Sequence, residues 1–165
     1  MTMSYGRFAV MVGVSTLLMY GMMYLNTYQA DHIAFSQTRL WMAVVMGAAM
    51  AAVMMIFMWS MYKNKRLNGL IIAGSCVLFA ASLWLVRSQA TVSDVGYMEA
   101  MIPHHSIAIM TSERAHIKDP RVRKLADGII EAQVREIGEM KALIRDLKAE
   151  PVPAGHSDLP ARPAK

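Results

Sequence analysis

Three stretches without Asp, Glu, Lys or Arg dominate the first half of the chain, at residues 8–28, 40–62 and 69–86. A helix needs about 20 predominantly apolar residues to cross a bilayer, so this pattern predicts three transmembrane helices within a membrane domain of residues 1–91. After residue 92 the pattern changes to apolar positions recurring at helical spacing. Ser93 or Asp94 is placed to cap a helix running to about Ile117, and Lys118-Asp119-Pro120 ends it and starts a second helix, from about Pro120 to Lys148. Pro103 inside the first helix predicts a kink or a fresh start. The second carries an apolar stripe of Val122, Leu125, Ala126, Ile129, Ile137, Leu143, Ile144 and Leu147, with Gln133, Glu136 and Met140 falling inside it. Residues 149–165 are Pro-rich and predict a disordered tail, with His156 a solvated bystander. The fold class expected is all-α: three transmembrane helices, then an extracytoplasmic two-helix hairpin over residues 92–148.

Composition agrees with a membrane protein, since 55% of the 165 residues are hydrophobic and the mean hydropathy is positive. The net charge of +5 matters only through its location. From residue 92 onward eleven acidic side chains face eleven basic ones, and the excess is Arg7, Arg39, Lys63, Lys65, Arg66 and Arg87 against Asp31, all flanking the apolar stretches. No basic groove results, which excludes nucleic acid as a partner. Lys63, Lys65 and Arg66 crowd one loop, so the positive-inside rule puts that loop and the N-terminus in the cytoplasm of a bacterial inner membrane and the hairpin in the periplasm or its equivalent. The first stretch offers no small-x-small cleavage site, Tyr28 standing before Ala30, and is expected to be retained as a span. Cys76 is the only cysteine, which excludes an intrachain disulfide and leaves it as a small packing residue.

Methionine is over-used, with 17 in the chain and thirteen among the first 61 residues. Met42, Met46, Met50, Met54 and Met58 repeat at i+4, which stacks them along one slowly winding face. Two readings stay open. Met is a flexible packing residue, and Gly47, Ala48, Ala51 and Ala52 beside it suit close helix packing; alternatively the thioethers form a Cu(I) stripe.

The hairpin holds the candidate chemistry. At 100° per residue Asp94, Met98, Met101, His105, Ser112 and His116 fall on one face, with His104 at its edge, whereas Met110 points away and reads as packing. Thioether and imidazole together suit soft or borderline metal ions. An ionised Glu136 on a core face is costly unless it is paired, for example with His105 or Arg114, or bound to metal. Glu131, Arg135, Glu139 and Lys141 read as a solvated face. Asp31 and His32 lie at the outer end of the first stretch, where they could approach the site but read first as a hydrated loop. No nucleophile-base set, Gly-rich phosphate loop or nucleotide motif is present. A di-iron centre needs several Glu and repeated Glu-x-x-His motifs, a set this chain lacks, so no enzymatic activity is expected.

The string Tyr97-Met98-x-x-Met101-Ile102-Pro103-His104-His105-x-x-Ala108-Ile109, followed by Asp119-Pro120-x-Val122-x-x-Leu125-Ala126-x-x-Ile129-Ile130-x-Ala132-Gln133-x-x-Glu136-Ile137-x-x-Met140, resembles the domain of unknown function 305 family. The resemblance covers about residues 92–148, and Thr111 stands where the family commonly has Met. It implies a ferritin-like helical fold and an envelope protein that binds copper through Met101, His104, His105, Gln133, Glu136 and Met140. Two helices of about 55 residues bury too little surface to be stable alone, so a homodimer or higher homo-oligomer, with two hairpins forming a four-helix bundle, is expected. The function expected is a membrane-anchored copper-binding protein, Cu(I) favoured, acting in sequestration, tolerance or handover. The alternative is a non-metal module whose bundle oligomerises a membrane anchor.

Overall fold

The computed structural model describes residues 4–153 and 155–161; the first three residues of the expected membrane domain, and residues 154 and 162–165 of the expected tail, lie outside the described residues. Five helices are present and, among the described residues, no strand: α1 (Tyr5–Met22), α2 (Gln37–Phe57), α3 (Lys65–Ser88), α4 (Asp94–Arg114) and α5 (Pro120–Ala149). Each starts where a short polar side chain accepts a hydrogen bond from an otherwise unpaired amide. Ser4 accepts from Gly6, Ser36 from Arg39, Asn64 from Leu67, Ser93 from Gly96 and Asp119 from Arg121, the last with Pro120 in the first turn. Described residues beyond α5 are exposed and form neither helix nor strand.

Two helices, α2 and α3, are long and apolar enough to cross a membrane. Of the three expected spans, the first, residues 8–28, is corrected. At 18 residues α1 extends about 27 Å and takes Arg7 into its first turns, because the apolar residues after Met22 leave the helix and serve a different set of contacts. Tyr24 packs edge-on against Tyr20 with ring centroids 5.5 Å apart, accepts a hydrogen bond from the Ser36 amide at 3.1 Å and lies under the Arg39 guanidinium at 4.5 Å. Four residues later the Tyr28 amide donates to Ser106 Oγ at 2.9 Å. The stretch that reads as the outer end of a span is thus a strap binding α1 to α2 and α4.

Helix α1 lies along α2. At one end Tyr5 Oη donates to Asn68 Oδ1 at 2.7 Å, and Phe8, Met55 and Tyr62 form a buried cluster with Met11, Met54 and Met58 packed around it. Midway, Gly47 faces Thr16 so closely that a Cβ would meet the threonine side chain. The methionine ladder ends sooner than the sequence spacing suggests: α2 closes at Phe57, and Met58 caps it. Cys76, expected to pack, is exposed on α3.

A left-handed Gln89 (φ 53°) closes α3, and Gln37 Nε2 donates to Thr91 Oγ1 at 3.2 Å, which roots α4 beside the start of α2. Helices α4 and α5 then form an antiparallel hairpin around buried Ile102, Ile109 and Ile137, with Tyr28, Ile130, Met140 and Ile144 against them. Lys148 Nζ pairs with Glu99 at 2.7 Å across the hairpin's open end. Pro103 is buried inside α4 without breaking it, so the expected fresh start is absent. The helix ends at Arg114 rather than near Ile117, at a Cap residue, Ala115, in extended conformation.

Candidate metal centre

Helical spacing places Met98, Ile102, His105 and Ile109 at i, i+4, i+7 and i+11 on the side of α4 that faces α5. Met98, Ile102 and Ile109 are accordingly buried. His105 takes the remaining place in that stripe, with a side chain only 14% exposed, and its Nδ1 lies 3.0 Å from Glu136 Oε2. The contact is close but off the line of a hydrogen bond, and the buried Nδ1 has no other partner. Burial pushes the imidazole below its usual pKa, with Glu136 opposing the shift and His104 adding to it. A neutral ring with a free nitrogen beside a carboxylate is the donor pair a first-row metal uses. Gln133 Nε2 donates to the same Glu136 Oε2 at 3.5 Å, orienting it. Met140, one turn beyond Glu136, packs on the isoleucine core.

The other expected ligands separate. Met101 and His104 turn to a different side of α4, where they line a cleft against α1 and α2 together with Met23, Arg39 and Met42. His104 and His105 have ring centroids 6.2 Å apart yet serve different surfaces, since adjacent helical residues point about 100° apart. His116 is exposed beyond the end of α4, because the helix stops short of the register that would have brought it round; Glu113, its partner in the single Glu-x-x-His spacing, is exposed as well. Arg114 is likewise exposed, and the neighbour of Glu136 is His105. Among the described residues no three His, Cys, Asp or Glu side chains cluster. Any larger coordination sphere must draw on Gln133 or thioethers.

Of the two residues read as a hydrated loop or as groups approaching the site, Asp31 is 63% exposed while His32 is buried against the hairpin. His32 is 7% exposed in a short 3-10 turn, Ala30–His32, with Nδ1 3.0 Å from Ser106 Oγ. Burial lowers its pKa as well, opposed by Asp31. Asp31 holds Lys141 Nζ at 2.7 Å, so Lys141 is paired rather than merely solvated, and the pairing holds the Asp31 carboxyl below its usual range. The strap therefore covers one side of the hairpin, a contact no local spacing in either segment announces.

Residues 94–164 match the family model described as Domain of unknown function (DUF305). The match starts at the first residue of α4 and includes His105 and Glu136. An uncharacterised protein of Acanthamoeba polyphaga mimivirus is 40% identical over 70 residues, a stretch that makes up 41% of this chain and 46% of the viral protein. The chain therefore spans about half the length of the curated relative it matches. No solved structure matches it.

Proposed function

We propose that the chain is a membrane-anchored copper-binding protein of a bacterial envelope, whose outward-facing hairpin takes up copper for sequestration, tolerance or handover. One observation carries this reading: the buried, otherwise unpartnered His105 Nδ1 held 3.0 Å from Glu136 Oε2. Two donors sharing one first-row cation at about 2.0–2.2 Å each stand roughly 3 Å apart, whereas an optimised imidazole-carboxylate hydrogen bond would be aligned. His105 and Glu136 would hold the ion, with Gln133 and the thioethers of Met98 and Met140 on the same two helix faces. The orientation is supported by charge. Lys63 lies between α2 and α3, and Lys65 and Arg66 open α3, so a hairpin that follows a membrane-crossing α3 would stand on the opposite side of the membrane from them, which the positive-inside rule makes extracytoplasmic.

The test is a copper titration of the full chain in detergent micelles, in both oxidation states under controlled redox conditions, comparing the native protein with His105→Ala and Glu136→Gln. Loss of one bound equivalent in each variant supports the reading. Unchanged stoichiometry and affinity in both removes it. A non-metal oligomerisation module is the second reading, and its support is the apolar surface left on α5, where Leu125 is 65% and Leu143 51% exposed. We infer that a second copy of the hairpin covers this face; a module of that kind would keep its function in both metal-site variants.

A further inference from the structure

We propose that the cleft between the end of α1, the start of α2 and the side of α4 is an anion site for a phosphate group, supplied by the headgroup of an anionic phospholipid. The cleft has a volume of about 330 Å³, within the roughly 300–1,000 Å³ of small-molecule sites. Arg39 supplies its positive charge, and no carboxylate borders it. Among the described residues, Arg39 Nη1 is shut from water and lacks a hydrogen-bond partner. Arg121, Arg123 and Arg135, by contrast, each pair with a carboxylate nearby in the sequence. A partly desolvated cation without a counter-charge is costly, and an anion in the cleft removes that cost.

The donors are held in place before any ligand arrives. The Arg39 guanidinium lies over the Tyr24 ring at 4.5 Å. Stacking engages the face of the group and leaves its in-plane N–H donors for oxygen, an arrangement that suits the paired oxygens of a phosphate. Tyr24 is itself anchored, because its hydroxyl accepts the Ser36 amide at 3.1 Å. Ser36 Oγ accepts from the Arg39 amide at 3.1 Å, which leaves its hydroxyl proton to donate. From α4, Tyr97 and His104 bring a phenol and an imidazole to the same space, and both are exposed.

The rest of the lining favours a lipid as the source of the phosphate. Met23, at the end of α1, and Met42, in the second turn of α2, form an apolar wall of the cleft, and Met42 is exposed there. The site thus sets a cation and hydroxyls beside apolar surface at the point where α2 enters its apolar stretch. A phospholipid presents headgroup and acyl chain in that order, and basic pockets between membrane helices are recurrent headgroup sites. Arg39 is the only Lys or Arg between Arg7 and Lys63, so attraction here comes from one placed group rather than from a diffuse basic patch. The lipid source rests on the reading of α2 as a span; the anion site itself does not.

The experiment titrates the full, copper-free chain in uncharged detergent micelles with short-chain phosphatidylglycerol, short-chain phosphatidylcholine and inorganic phosphate in parallel. Nuclear magnetic resonance follows the Arg39 Nε–H and the His104 ring, assigned through Arg39→Lys and His104→Gln. Phosphatidylglycerol should shift both signals to saturation, and at a lower concentration than inorganic phosphate; the reverse order keeps the anion site and assigns it to free phosphate. Arg39→Gln should weaken binding at least about tenfold, the least expected from losing a hydrogen bond to a charged group. Ala100→Leu keeps the Arg39–Tyr24 pair and fills space in the cleft that Ala100 borders, so it should weaken binding even if Arg39→Gln folds poorly. Glu136→Gln should lose copper and keep the anion response, which separates this site from the hairpin pair. The proposal is overturned if neither phosphatidylglycerol nor phosphate moves the two signals, if phosphatidylcholine moves them as far as phosphatidylglycerol does, or if Ala100→Leu binds as the native chain does.

Discussion

His32 Nδ1 and Ser106 Oγ, 74 residues apart in sequence, meet at 3.0 Å in a buried contact. The same hydroxyl oxygen accepts the Tyr28 amide at 2.9 Å, so one serine joins the strap after α1 to the hairpin that carries His105. Ser106 is completely buried, which means its replacement leaves two polar groups with no water to turn to. Ser106→Ala is expected to destabilise the protein by about 1–3 kcal/mol, the usual effect of orphaning a buried donor or acceptor. Thermal or denaturant unfolding in micelles measures this, and faster amide exchange at Tyr28 localises it. Thr111→Ala, which removes an exposed hydroxyl bonded only to its own helix, serves as the control and should change stability little.

Acid should loosen the same junction. Burial lowers the pKa of both His32 and His105, while the unfolded chain retains ordinary histidines near 6.5. Below that value the unfolded state binds more protons than the folded one, so stability rises with pH there. Stability is therefore fully present above about pH 6.5 and declines as the pH falls toward the lowered folded values. At His32 the opposing influences are Asp31, which favours the charged ring, and Lys141, which disfavours it; at His105 they are Glu136 and His104. Unfolding temperatures measured between neutral and mildly acidic pH should fall in the native chain and fall less in His32→Gln. An identical slope in that variant would assign the acid sensitivity to other groups.

The helical content and the starts of α4 and α5 were legible in the sequence, because they depend on local causes, whereas α2 and α3 begin at Gln37 and Lys65, ahead of the apolar stretches at 40 and 69. Asp119 before Pro120 and Ser93 before Asp94 act within a few residues of themselves, and the observed caps use them. The first span was misread for a physical reason: a stretch defined by the absence of charged residues admits Tyr24 and Tyr28, whereas the fold uses the hydroxyl of one and the amide of the other as bonding groups. Adjacent histidines posed a similar difficulty. One 100° step separates His104 from His105, and only the placement of α4 against both α5 and α2 decides that the first borders the cleft and the second enters the hairpin. His32 gave no signal in its own neighbourhood, since its partner Ser106 lies in the other half of the chain.

Close approach of α1 and α2 depends on Gly47. A Cβ at that position would collide with the Thr16 side chain, whose Oγ1 is engaged with the Val12 carbonyl at 2.8 Å and whose β-branched side chain has few rotamers to escape into. Gly47→Ala should therefore push the helices apart and destabilise the membrane half, by about 1–3 kcal/mol if it behaves as an ordinary overpacking substitution. Combining it with Thr16→Ala removes the colliding atoms and should recover most of the loss. Recovery in the double variant is the decisive measurement, since helix propensity alone favours Ala over Gly in a helix interior and would make the single variant the more stable one.

Leu125 and Leu143 stand exposed on α5 on either side of Glu136 in sequence, 65% and 51% accessible, and helical spacing puts all three within one broad face. The strap covers a different side of the hairpin through Tyr28 and His32 and leaves this face open to a second copy. Replacing both leucines by Lys places like charges opposite each other in any two-fold α5 pairing and is expected to convert a dimer into a monomer, read by sedimentation in density-matched detergent. Because His105 and Glu136 belong to the same chain, the monomeric variant should still bind one copper per chain at that pair. A parallel loss of copper with the dimer would instead mean that ligands from two hairpins complete the sphere, and an unchanged mass would show that α5 is not the contact surface.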